Sequence, residues 1–117
     1  MKDATLKFQY QEPFTAVDTA VLMDETIGKY EKLTYVILCA FASNKDNTCY
    51  PSYQTIAKKT GCSRRKTISN INALVEMGLV EKAERVNKNS DNTSNLYTIK
   101  TLATAYQSQK KEQEQSP

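Results

Sequence analysis

Apolar residues come in short bursts separated by turn-forming clusters, and their spacing predicts most of the elements. Residues 29–43 (KYEKLTYVILCAFAS) form the strongest burst. Tyr30, Leu33, Val36, Ile37, Ala40 and Phe41 recur at three-four spacing, which predicts a helix that buries that face. The run Asn44-Lys45-Asp46-Asn47 is turn chemistry and stops it. Thr48-Cys49-Tyr50 leaves room for a very short strand before Pro51. Ser52 is then placed as an N-cap for a short helix over 53–59 that buries Ile56 and Ala57, and Gly61 supplies the left-handed residue that ends it. Ser63 is a second N-cap, opening a longer helix over 64–77. In that helix Thr67, Ile68, Ile71, Leu74 and Val75 fall within one arc of about 120°. Gly78 closes it.

The pattern changes period on either side of this block. Residues 79–86 (LVEKAERV) read as a strand, residues 87–95 are wholly polar, and Leu96-Tyr97-Thr98-Ile99 alternates again. The pair predicts a β-hairpin with a long polar tip. Upstream, residues 1–7 are polar, Pro13 interrupts the aromatic Phe8, Tyr10 and Phe14, and residues 16–23 have room for one or two helical turns. From Ala103 the chain is rich in Gln, Lys and Glu, a composition expected to be disordered or a frayed helix. The expected organisation is an N-terminal arm over 1–28, a helix-and-hairpin α+β domain over 29–101 and a polar tail over 102–117.

Composition narrows the chemistry. The 117 residues suit one domain, and no apolar run approaches the roughly 20 residues of a membrane span or resembles a secretory signal. A cytoplasmic protein is expected. The chain has no histidine, which removes the commonest general base and the commonest metal ligand together. Its three cysteines, Cys39, Cys49 and Cys62, lie too far apart for a paired zinc signature, and Cys39 reads as a small buried hydrophobe. With only three glycines, neither a P-loop nor a dinucleotide loop can be written. No enzyme, cofactor or metal is expected.

Charge is distributed unevenly about a formal net of +3. Residues 1–57 carry five basic and seven acidic side chains, whereas residues 58–88 carry eight basic against three acidic. Within the latter, Lys58, Lys59, Arg64, Arg65 and Lys66 form a run with no acid. Such a run alone is most often a solvated face. Here, however, three of its cations sit at the start of a helix, beside the positive end of the helix dipole. That placement is locally unfavourable unless a polyanion rewards it.

The stretch Tyr50-Pro51-Ser52-Tyr53-Gln54-Thr55-Ile56-Ala57-Lys58-Lys59-Thr60-Gly61-Cys62-Ser63-Arg64-Arg65 resembles the helix-turn-helix family common in replication initiators and regulators of Gram-positive plasmids, phages and conjugative elements. Gly78-Leu79-Val80 and Asn95-Leu96-Tyr97-Thr98-Ile99 are similar to that family's helix-to-wing junction and returning strand. The likeness covers about residues 30–100, with Thr67 standing where related sequences carry Val or Ile. It implies a winged helix-turn-helix: a three-helix core with a C-terminal β-hairpin wing.

Geometry supplies the candidate surface independently. With Ile71 set toward the core, Arg65, Lys66, Ser69, Asn72 and Ala73 fall on the opposite face of the second helix of the unit. Arginine and asparagine can bond base edges bidentately, while serine and alanine permit close approach. The candidate DNA-reading residues are therefore Ser63, Arg64, Arg65, Lys66, Ser69 and Asn72. Ser52, Tyr53, Lys58 and Lys59 on the preceding helix are candidates for phosphate contacts, with Tyr53 equally suited to core packing. Arg85, Asn87, Lys88 and Asn89 are the candidates on the wing. The expected partner is double-stranded DNA. A homodimer on two half-sites, formed through residues 8–23 or the tail, and recruitment of replication or transfer proteins stay open. The competing expectation is a winged-helix protein-interaction module, which the lysine-rich run disfavours.

Overall fold

The computed structural model describes residues 14–43, 45–84 and 95–104. Helix α1 (Thr19–Met23) is a single turn capped by Asp18, whose side chain accepts from the Ala20 N–H. Helix α2 (Lys29–Phe41) follows, then strand β1 (Thr48–Cys49), helix α3 (Tyr53–Thr60), helix α4 (Arg64–Glu76) and strands β2 (Val80–Ala83) and β3 (Leu96–Ile99). The strands form an antiparallel sheet in the order β1-β3-β2, with Cys49 opposite Tyr97 on one side of β3 and Val80 opposite Ile99 on the other. Helices α2, α3 and α4 backed by this small sheet, with β2 and β3 as the stem of a hairpin, make an α+β winged helix-turn-helix.

Local chemistry sets the boundaries of the helix-turn-helix. Ser52 Oγ accepts from the Thr55 N–H at 3.1 Å and Ser63 Oγ from the Lys66 N–H at 3.0 Å, so each helix starts on its own serine cap. Between them Gly61 adopts φ 77°, and the N–H groups of Gly61 and Cys62 both donate to the Ala57 carbonyl. That closure turns the chain within a few residues.

The core collects Val21, Ile27, Tyr35, Leu38, Cys49, Ile56, Ile71, Leu74, Leu79, Val80 and Tyr97. It thus draws on residues before 29. Leu102 packs against it, and the Leu102 N–H donates to Asp18 at 2.8 Å, tying the end of the sheet to the cap of α1. Burial pushes the Cys39 and Cys49 thiols up to about 11, so both stay protonated at neutral pH.

One expectation is overturned. The buried residues of α2 are Thr34, Tyr35 and Leu38, whereas Tyr30, Leu33 and Phe41 of the expected core face are about 40% exposed. The reason is that the inward polar groups find partners. The Thr34 hydroxyl donates to the Tyr30 carbonyl at 2.8 Å and accepts from Asn70 Nδ2 at 3.3 Å. The Tyr35 phenol donates to the Lys100 carbonyl at 2.6 Å. With their hydrogen bonds made, threonine and tyrosine are admitted to the core. The more apolar stripe is left outside.

Candidate nucleic-acid interface

Helix α4 separates two kinds of side chain. Thr67, Asn70, Ile71 and Leu74 are buried, while Arg64, Arg65, Lys66, Ser69 and Asn72 are exposed and Ala73 is half-buried. Arg65, Ser69, Asn72 and Ala73 line one shallow concavity together with Ile68 and Glu76. The structure therefore brings the outward face together as a continuous surface. It carries no acidic side chain from Arg64 until Glu76 at the helix end.

The first turn of α4 is held on both flanks by aromatic rings. The Arg64 guanidinium lies 5.4 Å from the Tyr53 ring centroid. Lys66 Nζ lies 5.3 Å from the Tyr30 ring, which Lys29 Nζ also approaches at 5.2 Å. These contacts limit the freedom of long cationic side chains without neutralising them. Lys66 thus leans toward α2, at the edge of the exposed face, rather than standing at its centre beside Ser69.

On α3, Lys58 and Lys59 are exposed in the last turn, where they also complement the negative end of that helix. Ser52 is half-buried, and its hydroxyl is engaged in the cap and with Thr55 Oγ1 at 2.9 Å. Of the two roles open to Tyr53 in the sequence, the structure shows core packing: its ring packs against the core, and its hydroxyl accepts from Asn95 Nδ2 at 3.0 Å. Asn95 Nδ2 also donates to Tyr97 Oη at 3.2 Å. The returning strand of the hairpin is thereby fastened to the first residue of α3. Arg85, Asn87, Lys88 and Asn89 lie outside the described residues.

Two side chains that sequence reasoning passed over contribute to this region. Asn70, on the buried side of α4, bridges to Thr34 and approaches Cys62 Sγ at 4.0 Å, linking α4 to α2 and to the turn. Lys82 in β2 reaches across to α4, where its Nζ donates to Asn72 Oδ1 at 3.1 Å. A signal for Lys82 was present: strand alternation puts it on the same face as Val80, which is buried.

The fold is shared with known proteins. Residues 25–80 match the model of a family described as a helix-turn-helix domain. No curated protein matches the chain. Two solved structures are similar to it, one described as "N-Terminal domain of DNA binding protein" and the other as "Structure of Rep-DNA complex". Each is 19% identical with a TM-score of 0.55, and the match covers 97% of this chain and 96% and 97% of theirs, respectively. At that identity the likeness is one of fold, and it extends over nearly the whole of each molecule.

Proposed function

We propose that this chain is a non-catalytic, sequence-specific binder of double-stranded DNA that acts in the cytoplasm. The observation that carries the reading is the exposed face of α4. Arg65, Ser69 and Asn72 stand in a row there, flanked by Arg64 and Lys66, on a capped helix whose opposite side is locked into the core. Such a helix offers guanidinium and amide groups to base edges, and its N-terminal end favours phosphate. Lys58 and Lys59 extend the basic surface along α3, and the β2–β3 hairpin stem, paired beside the helices, supports a wing that would reach the adjacent groove. The solved complex of a Rep protein with DNA supports the same reading by analogy of fold.

Within it, the resemblance to proteins of plasmids, phages and conjugative elements favours service to a mobile element. The chain would act there as a transcriptional regulator or as an origin-binding factor that recruits replication or transfer proteins. A homodimer is the favoured state, because one winged helix spans few base pairs and α2 leaves Tyr30, Leu33 and Phe41 exposed along one side. A module that binds protein through α4 is disfavoured by the density of cations there.

The test is a footprint of the purified protein on DNA flanking its own gene, followed by titration of variants on the protected site and a scrambled one. Arg65→Ala should cost about 1–3 kcal/mol on the cognate site and flatten discrimination. Lys88→Ala should weaken both sites by a similar factor. Equal behaviour of the two variants would refute the assignment of the reading face, and no protection anywhere would refute the function.

A further inference from the structure

We propose that Lys82 is a specificity-determining residue, which holds Asn72 so that the pair presents donors to a base edge and favours guanine over adenine. The proposal rests on the duplex-binding reading above. It begins from the contact between Lys82 Nζ and Asn72 Oδ1 at 3.1 Å. An ammonium group donates and never accepts, so the amide must turn its oxygen toward Lys82 and its NH₂ away. The orientation of Asn72 is therefore fixed by chemistry.

The fold explains why Lys82 reaches α4. Strand alternation puts Val80 and Lys82 on one face of β2 and Glu81 on the other. Val80 is buried in the core, and Glu81 pairs away from α4 with Lys100 at 3.7 Å. Lys82 continues the Val80 face outward, past the edge of the core, and meets the exposed side of α4 at Asn72. The pairing of Lys82 with Tyr97 in β3 holds the strand position, and Tyr97 is itself fully buried.

The consequence follows from the inventory of donors and acceptors. An asparagine free of partners reads adenine by accepting from N6 and donating to N7. In the Lys82–Asn72 pair, one of the two lone pairs of the oxygen needed for N6 is already taken, and a positive charge stands beside the place where the N6 donor would come to the other. What faces outward is the Asn72 NH₂ and the remaining N–H groups of Lys82. Guanine offers two acceptors on its major-groove edge, N7 and O6, and matches that array. Exclusion of water from the interface strengthens both the preference and the contact that sets it.

The experiment is selection from a random duplex library with the full chain and with Lys82→Met, which keeps the length of the stem and removes the charge and donors. Asn72→Ala identifies the base pair that Asn72 reads. The expected result is guanine at that position for the unmodified protein. Lys82→Met should lower the guanine-to-adenine ratio there at least tenfold and leave the other positions unchanged. Lys82→Arg, which retains charge and donors, should keep guanine. Selection of the same sequence by Lys82→Met, with affinity lowered uniformly, would overturn the proposal and make Lys82 a phosphate contact. If the unmodified protein enriches no sequence, the duplex-reading function itself fails, and this proposal with it. Both residues are exposed, so thermal denaturation of each variant should match that of the parent.

Discussion

Buried polar side chains decide much of the behaviour at the scale of single residues. Thr67 and Asn70 lie three residues apart, one turn along the buried face of α4, both with no exposed surface, and their polar groups differ in what they find. The Asn70 NH₂ bonds to Thr34 while its Oδ1 has no partner among the described residues, and the Thr67 hydroxyl has no partner there at all. A buried hydroxyl without a partner costs about 1–3 kcal/mol, and removing it isosterically recovers part of that cost. Thr67→Val should therefore stabilise the protein by about 1 kcal/mol, read as a rise of several degrees in the midpoint of thermal unfolding. A fall in the midpoint would show that the hydroxyl is bonded in solution. Ile71→Ala, on the same helix and wholly buried, should cost about 2–5 kcal/mol in the same assay.

At the scale of elements, the serine caps, the left-handed glycine and the arc of apolar residues on α4 were legible because each leaves a local mark. Ser52 and Gly61 fix where α3 begins and ends, Ser63 fixes where α4 begins, and Ile71 and Leu74 show which side of α4 turns inward. The orientation of α2 was not legible in the same way. Its sequence is apolar nearly all round, and the choice of buried face depends on Lys100 and Asn70, which are distant in the chain. The Lys82–Asn72 contact was hidden for a related reason: alternation marks the face of β2, but only the packed fold shows which helix that face meets. Gly61 tests the local account. A Cβ at that position would meet nothing within 4 Å, so the cost of Gly61→Ala comes from φ 77° alone. It should be about 1–2 kcal/mol, and Gly61→Asn, which tolerates the left-handed region better, should cost less. Equal losses in chemical denaturation would mean that something other than backbone conformation is at stake.

The whole molecule presents two surfaces of different character: a basic face on α3 and α4, and an apolar stripe on α2. The stripe bears on oligomeric state. If two copies meet there, light scattering at micromolar concentration should give a dimer mass, and Leu33→Glu should return the monomer with an unfolding midpoint that no longer depends on concentration, since Leu33 is 38% exposed and its loss leaves the core intact. A monomer at all concentrations would remove α2 as the contact. The basic face bears on function, and the salt dependence of duplex binding tests it most directly. Lys58, Lys59, Arg64, Lys66 and Lys88 would each displace counterions, so the plot of log affinity against log salt should have a slope of about −4 to −5 per subunit. A slope near zero, or no binding to any duplex at low salt, would contradict the claim that α4 and its neighbours form a DNA-binding surface.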